Sequence, residues 1–350
     1  MRVLLASEEI TNRPREGTLV FLMHLCRFLH KEADLTTLRA RGELDPDIRG
    51  LRALSPRVLV TRELLGILRR ELFDLCIYVP SSGLTGFGMA RGCVLRWLTK
   101  APTIVIGLQE RAVGGLHRTL ALIGGPDLIL SPAEDLRSKL ERIGFNVDFI
   151  MPGYDDRLFR PVRPDERARL KIKYNLPAGK FILLHVGHVK ENRNLEVFLR
   201  YRDWGPDVQP VIKAGEIDPS WADRLRAAGI IVIDEYYQDV QELYQAADCY
   251  LFPVSNPTGA VEFPLSVIEA CACNLPVLTT RFGALPSIIR EGNGFHYYSR
   301  ASEIAARLAE IRQLRPDTAA KVRDFSWDAV FRKHLSPYLR SLAKTQGGAA

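Results

Sequence analysis

Residues 181–187 read FILLHVG and run straight into a polar stretch, HVKENRNL, at 188–195. An almost unbroken apolar run that stops at a glycine reads as a strand buried on both faces; a strand with one face in water would alternate. The same rhythm continues with VQPVIKAG at 208–215, IIVIDE at 230–235, CYLFPVS at 249–255, PVLTT at 276–280 and GFHYY at 294–298. Upstream an earlier series has it too: RVLLAS at 2–7, DLTTL at 34–38, DLCIYV at 74–79, PTIVIG at 102–107, DLILS at 127–131 and VDFIMPG at 147–153. Short strands separated by helical patterns imply parallel sheets with helices on both faces. The polar, proline-bearing segment FRPVRPDERARLKIKYNLPAGK separates the two series, so a linker is expected near 160–178. The expected fold is α/β: two doubly wound domains facing each other across a cleft, with ligands beyond the carboxyl ends of the strands.

Composition is compatible with this. A chain of 350 residues suits about two domains. With 47% hydrophobic and 25% charged residues it is an ordinary globular mix, with disorder expected only at the KTQGGAA tail. The six cysteines lie mostly in apolar runs without a CxxC pair, which reads as buried, reduced thiols in a cytosolic protein. MRVLLASEEI is too short an apolar start for a signal peptide, and no run is long enough to span a bilayer. The formal net charge of +7 is concentrated: between 49 and 118 stand eleven Lys and Arg against four acids. A local basic surface suits an anionic partner such as phosphate groups, an acidic lipid leaflet or nucleic acid, although a merely solvated face gives the same pattern. GMARGCVLRWLTK, with Trp97 and its arginines, reads as a domain helix or as one lying on a bilayer.

The stretch GAVEFPLSVIEACACNLPV at 259–277 carries two glutamates, Glu262 and Glu269. Pro264 suits a first helical position, which places Glu262 before a helix and Glu269 inside it. Seven residues along a helix separate them by roughly 10 Å, too far for the ~5 Å carboxylate pair of a retaining glycosidase. A carboxylate in the second turn can accept two hydrogen bonds from a vicinal diol, and free N–H groups up to Val267 can bind a phosphate or sugar oxygen. An ordinary surface glutamate fits the periodicity equally well. The histidines form no metal-ligand spacing, the DPD at 45–47 reads as an exposed loop, and no Walker loop or nucleophile elbow is present.

VSNPTGAVEFPLSVIEACACNLPVLTTRFGALPSII resembles the donor-binding segment of the retaining GT-B glycosyltransferases, glycosyltransferase family four (glycosyl transferases group 1). Glu269 matches the family's ribose-binding glutamate; the other family glutamate would fall on Val261, and the acid here is Glu262. HVGHVKENRNL is similar to the phosphate loop, with Gly187 on its glycine, His188 on its arginine, Arg193 on its lysine and Asn194 where glycine is usual. MPGYDDRLFRP resembles the inter-domain signature, TTRFGALPSII supplies Gly283 and Ala284 near the phosphates, and FSWDAVFRKHLSPYL is similar to the terminal helix that crosses back to the first domain. Gly17 and Thr18 stand nearest to the family's glycine-rich loop, while Leu108, Gln109 and Glu110 occupy the place of its histidine.

The resemblance implies an acceptor-side domain over 1–165, a nucleotide-sugar domain over 166–325 and a terminal helix with a flexible tail over 326–350. It implies sugar transfer from a nucleotide-diphosphate sugar with retention, without a metal or bound cofactor. His188 and Arg193 would meet the pyrophosphate, Glu262 the sugar and Glu269 the ribose, with Gly17, Gly187, Gly283 and Ala284 allowing close approach. The acceptor would be a sugar or glycan and no nucleic acid is implied; the basic window over 49–118 adds the expectation of an anionic or lipid-linked acceptor and of a cytoplasmic location, peripheral at an anionic membrane. A silent sugar-nucleotide or glycan-binding protein and an epimerase or hydrolase of the same fold are the alternatives.

Overall fold

A computed structural model describes residues 1–347 with the exception of 15, 110 and 236–238. The chain divides into two compact units, Met1–Pro152 together with the segment from Trp327 onward, and Gly153–Ser326. In the first unit the order is β1 (Arg2–Ala6), α1 (Gly17–Glu32), β2 (Asp34–Arg39), β3 (Arg49–Arg52), α2 (Arg62–Leu68), β4 (Leu75–Tyr78), α3 (Gly86–Thr99), β5 (Thr103–Ile106), α4 (Gly115–Leu122), β6 (Leu128–Ser131), α5 (Glu134–Glu141) and β7 (Val147–Phe149). The strands form one parallel sheet in the order β3-β2-β1-β4-β5-β6-β7. The central strands are apolar because both faces are covered: Val3–Ala6 and Leu75–Tyr78 are wholly buried. One core takes in Leu64 of α2, Met89 and Cys93 of α3, Leu120 of α4 and Leu136 of α5, which places these helices in one layer.

The second unit contains α6 (Pro164–Lys173), β8 (Phe181–Val189), a 3₁₀ segment over 191–204, β9 (Val208–Ile217), α7 (Pro219–Ala227), β10 (Ile231–Ile233), α8 (Val240–Ala246), β11 (Cys249–Phe252), α9 (Leu265–Ala272), β12 (Val277–Thr279), α10 (Leu285–Ile288), β13 (Phe295–Tyr297), α11 (Ile304–Ile311) and α12 (Thr318–Lys321). Its six strands are parallel, in the order β10-β9-β8-β11-β12-β13. In both sheets the order reverses direction beside the first strand, between β1 and β4 and between β8 and β11. Loops leaving the two strands at such a point diverge, which opens a crevice at their carboxyl ends.

Two features depart from the sequence reading. The edge strand β3 was not anticipated, since RGLR has no apolar run; it is mostly exposed, and its Arg49 is held by Glu71 at 2.5 Å. The stretch expected as a linker contains α6, with Pro164 in its first turn and acids Asp165 and Glu166 beside it. Lys171 reaches Asp248 at 2.8 Å, and Lys173 and Tyr174 both reach Glu242, so this helix is docked on α8 and β11 rather than free. All six cysteines are buried and unpaired.

From Trp327 the chain forms α13 (Trp327–His334) and α14 (Ser336–Gly347). Residues 344–347 of the expected tail lie in α14, and 348–350 lie outside the described residues. Within the first unit α13 packs on α1 through rings: Trp327 stacks on His24 at 4.7 Å, and Phe331 meets Phe21 and Phe28 at 5.5 and 5.2 Å. Phe331 is fully buried. Phe331→Ala should therefore cost about 3–5 kcal/mol, read as a lower midpoint in urea unfolding.

Candidate functional site at the carboxyl ends of the second sheet

Three loops meet at the carboxyl ends of β8, β11 and β12. The loop after β8 is tied to the loop after β11 by Asn194 Nδ2 donating to Pro253 O at 2.9 Å and Asn192 Nδ2 to Thr258 O at 3.2 Å. The loop after β11 is tied to the one after β12 by Ala284 N donating to Glu262 O at 2.9 Å. These bonds bring Gly187, His188, Arg193, Glu262, Gly283 and Ala284 to one end of one sheet. Gly17 opens α1 in the other unit, after the long loop that leaves β1.

Local geometry explains several of the residue types. Asn194 has φ 55°, the left-handed conformation that asparagine tolerates best after glycine, so it can stand where a glycine is usual. Gly283 has φ 51°, and a Cβ there would lie 2.2 Å from Glu262 O and 3.0 Å from Glu262 Oε2. No other residue fits, and the near-buried Glu262 carboxylate lies against this glycine. A Cβ at Gly187 would sit 3.1 Å from His185 Nε2 and 3.4 Å from Arg193 Nη1, so the guanidinium lies over this glycine.

Arg193 is the least compensated charge in this end of the unit. Among the described residues its side chain makes no hydrogen bond or ion pair, and burial lowers its pKa to about 10. Beside it, Nε2 of the buried His185 has no partner, because Nδ1 is spent on Leu251 O at 3.0 Å. Desolvation lowers the pKa of His188 to about 4, with Arg193 adding to the effect, so its imidazole is neutral at pH 7. Between the pairs Gly187–Ala214 and Val189–Ile217 a single residue of β8, His188, faces two of β9, Gly215 and Glu216, and this bulge frees the Glu216 amide, which donates to His188 Nδ1 at 2.8 Å. His188 is thus fixed with Nε2 as its donor, and cationic compensation of a phosphate falls to Arg193.

Glu269 occupies the second turn of α9, which starts one residue after Pro264. The Val267 amide, expected to be free, donates to Pro264 O at 3.2 Å, which leaves Leu265 and Ser266 as candidate donors at that helix end. Burial raises Glu269 to about pKa 7 against the opposing hydrogen bond from Tyr244, whose hydroxyl donates to Oε2 at 2.9 Å. Tyr244 packs on Phe159 at 5.7 Å, so the PGYDDRLFRP segment supports the glutamate through this ring. Tyr250 lies within electrostatic reach of both Glu269 and Arg193, and its ring is 5.6 Å from Tyr244. Sequence reading missed Tyr244 and Tyr250; the bond from Tyr244 to Glu269 spans 25 residues and leaves no local pattern. His185 did leave a signal, a histidine inside an otherwise apolar strand.

In the first unit, Gln109 Oε1 accepts from Arg111 at 2.5 Å, and Arg111 Nε also donates to Ser82 O. Glu110 lies outside the described residues. The nearby His117 spends Nδ1 on Gly114 N and Nε2 on Leu84 O, which makes it a structural residue. No helix of the described residues is long and apolar enough to cross a membrane.

Glu269 makes the stability of the fold sensitive to pH. Its folded pKa of about 7 exceeds the ordinary 4.5, so the folded state holds the extra proton between those values. Stability from this group therefore falls as pH rises across that window, by up to about 3 kcal/mol. Against Glu269→Gln, the wild type should lose stability from pH 4.5 to 7 and then run level. Tyr244→Phe should push the carboxyl higher still, visible in a side-chain ¹³C titration.

Residues 180–313 match the family model described as glycosyl transferases group 1. The D-inositol 3-phosphate glycosyltransferase of Mycolicibacterium vanbaalenii is 27% identical over 227 residues, 56% of this chain and 48% of that protein. That of Thermomonospora curvata is 25% identical over 263 residues, 65% of this chain and 60% of that one. The chain thus spans about half the length of the curated relatives it matches. Among solved structures, Anabaena HepE in complex with UDP superposes with TM-score 0.76 at 12% identity, covering 97% of this chain and all of that one. The sucrose-phosphate synthase of Thermosynechococcus elongatus gives 0.75 at 16% identity, covering both chains fully. The chain has the GT-B fold, and its residues 180–313 are similar to the glycosyl transferases group 1 domain.

Proposed function

We propose that this protein transfers a sugar from a nucleotide-diphosphate sugar to an acceptor hydroxyl, with retention and without a metal. The observation that carries the reading is Arg193: a largely desolvated guanidinium with no carboxylate partner among the described residues, held over Gly187 at a sheet's switch point. A buried cation kept unpaired is costly, and an anion that fills the site removes the cost. A pyrophosphate supplies that anion, and its charge grows as the sugar leaves, so the same contact stabilises the departing group. His188 donates from Nε2 to a phosphate oxygen. Glu269 accepts from the ribose hydroxyls, and Glu262, beside Gly283, faces the sugar.

The matched domain and the GT-B fold support the donor class, as do the neighbouring structures solved with UDP and UDP-glucose. The acceptor is a sugar, glycan or lipid-linked hydroxyl. No general base is required of the chain: positioning and leaving-group stabilisation carry the barrier. Activity that survives chelation by EDTA supports the metal-free reading, and loss restored by Mg²⁺ or Mn²⁺ overturns it.

The first test is a thermal-shift panel of UDP, GDP, ADP, CDP and TDP. A ligand at ~100 times its Kd adds about 2.7 kcal/mol, a shift of a few degrees for units of this size. One nucleotide should stand out and lose its effect in Arg193→Ala and Glu269→Ala. Its affinity should weaken below pH 7, because the diol bonds need ionised Glu269, and Glu269→Gln should flatten that profile. No response from any nucleotide overturns the donor assignment. Binding without turnover or hydrolysis across broad acceptor mixtures favours a silent binding protein.

A further inference from the structure

We infer that the outer face of the α2–α4 layer in the first unit docks on the surface of an anionic lipid bilayer. Of the ten large apolar side chains that stand out in solvent among the described residues, seven lie between Val58 and Ile123. This is also the span where the chain's positive charge is concentrated. Neither feature is required by the sheet, which buries its apolar surface on the inner faces of the same helices.

The two helices that carry most of this surface run side by side. At their starts a Cβ on Gly86 of α3 would touch Leu116 of α4 at 2.9 Å; at their ends a Cβ on Gly124 would lie 3.4 Å from the Arg96 guanidinium. On α3, Phe87, Ala90, Val94 and Trp97 follow at steps of three, four and three, so they share one face of the helix. Phe87 and Trp97 on that face are exposed. On α4, Leu116 and Ile123 share a face, with Leu122 beside them. Exposure runs from 39% at Phe87 to 87% at Leu122, where an ordinary surface helix would carry polar groups.

The charges around this strip are predominantly positive. Lys100 follows Trp97 by one turn, Arg118 lies on α4, and Arg62, Arg69 and Arg70 stand at the two ends of the neighbouring α2. All five are exposed, and among the described residues none of their side chains makes an ion pair. Of the acids in this span, Glu71 is held by Arg2 and Arg49, and Asp74 receives the Arg2 amide, which leaves Glu63; Glu110 lies outside the described residues. Aliphatic tips such as Leu122 and Ile123 neither stack on bases nor bond phosphates, so a nucleic acid would leave them in water. A bilayer takes both parts: headgroup phosphates meet the cations, the aliphatic tips enter the acyl boundary and Trp97 sits at the interface.

The test is sedimentation of the full chain, without nucleotide, on vesicles of phosphatidylcholine alone or with about a third phosphatidylglycerol. Partition should be at least ~10-fold stronger on the anionic vesicles and should weaken with salt. Lys100→Glu/Arg118→Glu and Leu122→Ser/Ile123→Ser should each reduce it, with unchanged thermal midpoints because all four side chains are exposed. A blue shift of emission on binding that disappears in Trp97→Phe completes the expected result. Absent partition, equal partition on neutral vesicles, or undiminished binding by the serine variant overturns the proposal. A concentration-dependent dimer that the serine variant abolishes overturns it in favour of self-association. No nucleotide is present in the assay, so its outcome is independent of the donor assignment.

Discussion

A parallel sheet covered by helices on both faces has no surface left on which polar chemistry can sit. This constraint organises both units. Strands such as Val3–Ala6 and Cys249–Phe252 are spent entirely on burial, so the groups able to meet a ligand gather at the carboxyl ends: in the loops, at the last residues of β8 and in the first turns of α9. The same constraint explains why the loops of the second unit are tied to one another. With no strand side chains to brace them, they brace each other, through Asn192, Asn194 and the Ala284 amide.

Within that end of the unit, two desolvated groups of opposite sign are held against different neighbours. Arg193 and Glu269 are both desolvated and of opposite sign in their ionised forms, yet the structure does not pair them. Glu269 is held by Tyr244, Tyr250 lies within reach of both, and Arg193 is left above a glycine. The consequence is a carboxyl titrating near neutrality and a depressed guanidinium.

What the sequence made legible follows the range of the forces involved. Twelve apolar runs became strands because burial is written in the run itself. The edge strand β3 was illegible because its exposed residues carry no such record, and α6 was taken as a connection because its anchors, Asp248 and Glu242, lie some seventy residues away. Candidate site residues such as Arg193 and Glu269 were legible through resemblance to a family's motifs and not from periodicity alone. The tyrosine that holds Glu269 was not, since a hydrogen bond between α8 and α9 depends on how two helices pack. His188 falls on the family's arginine in sequence, but sequence shows neither its burial nor the bulge in β9 that orients it.

The buried thiols give the molecule a built-in record of its own opening. Cys26, Cys76 and Cys93 lie in the first unit and Cys249, Cys271 and Cys273 in the second, three to each. Burial holds the thiols of Cys26 and Cys76 up to about pKa 12 and places those of the second unit higher still, so none is a ready nucleophile while the chain is closed. An alkylating reagent can reach them only when the surrounding core parts. Peptide by peptide, the modification pattern would show whether one unit breathes before the other, without any label being introduced.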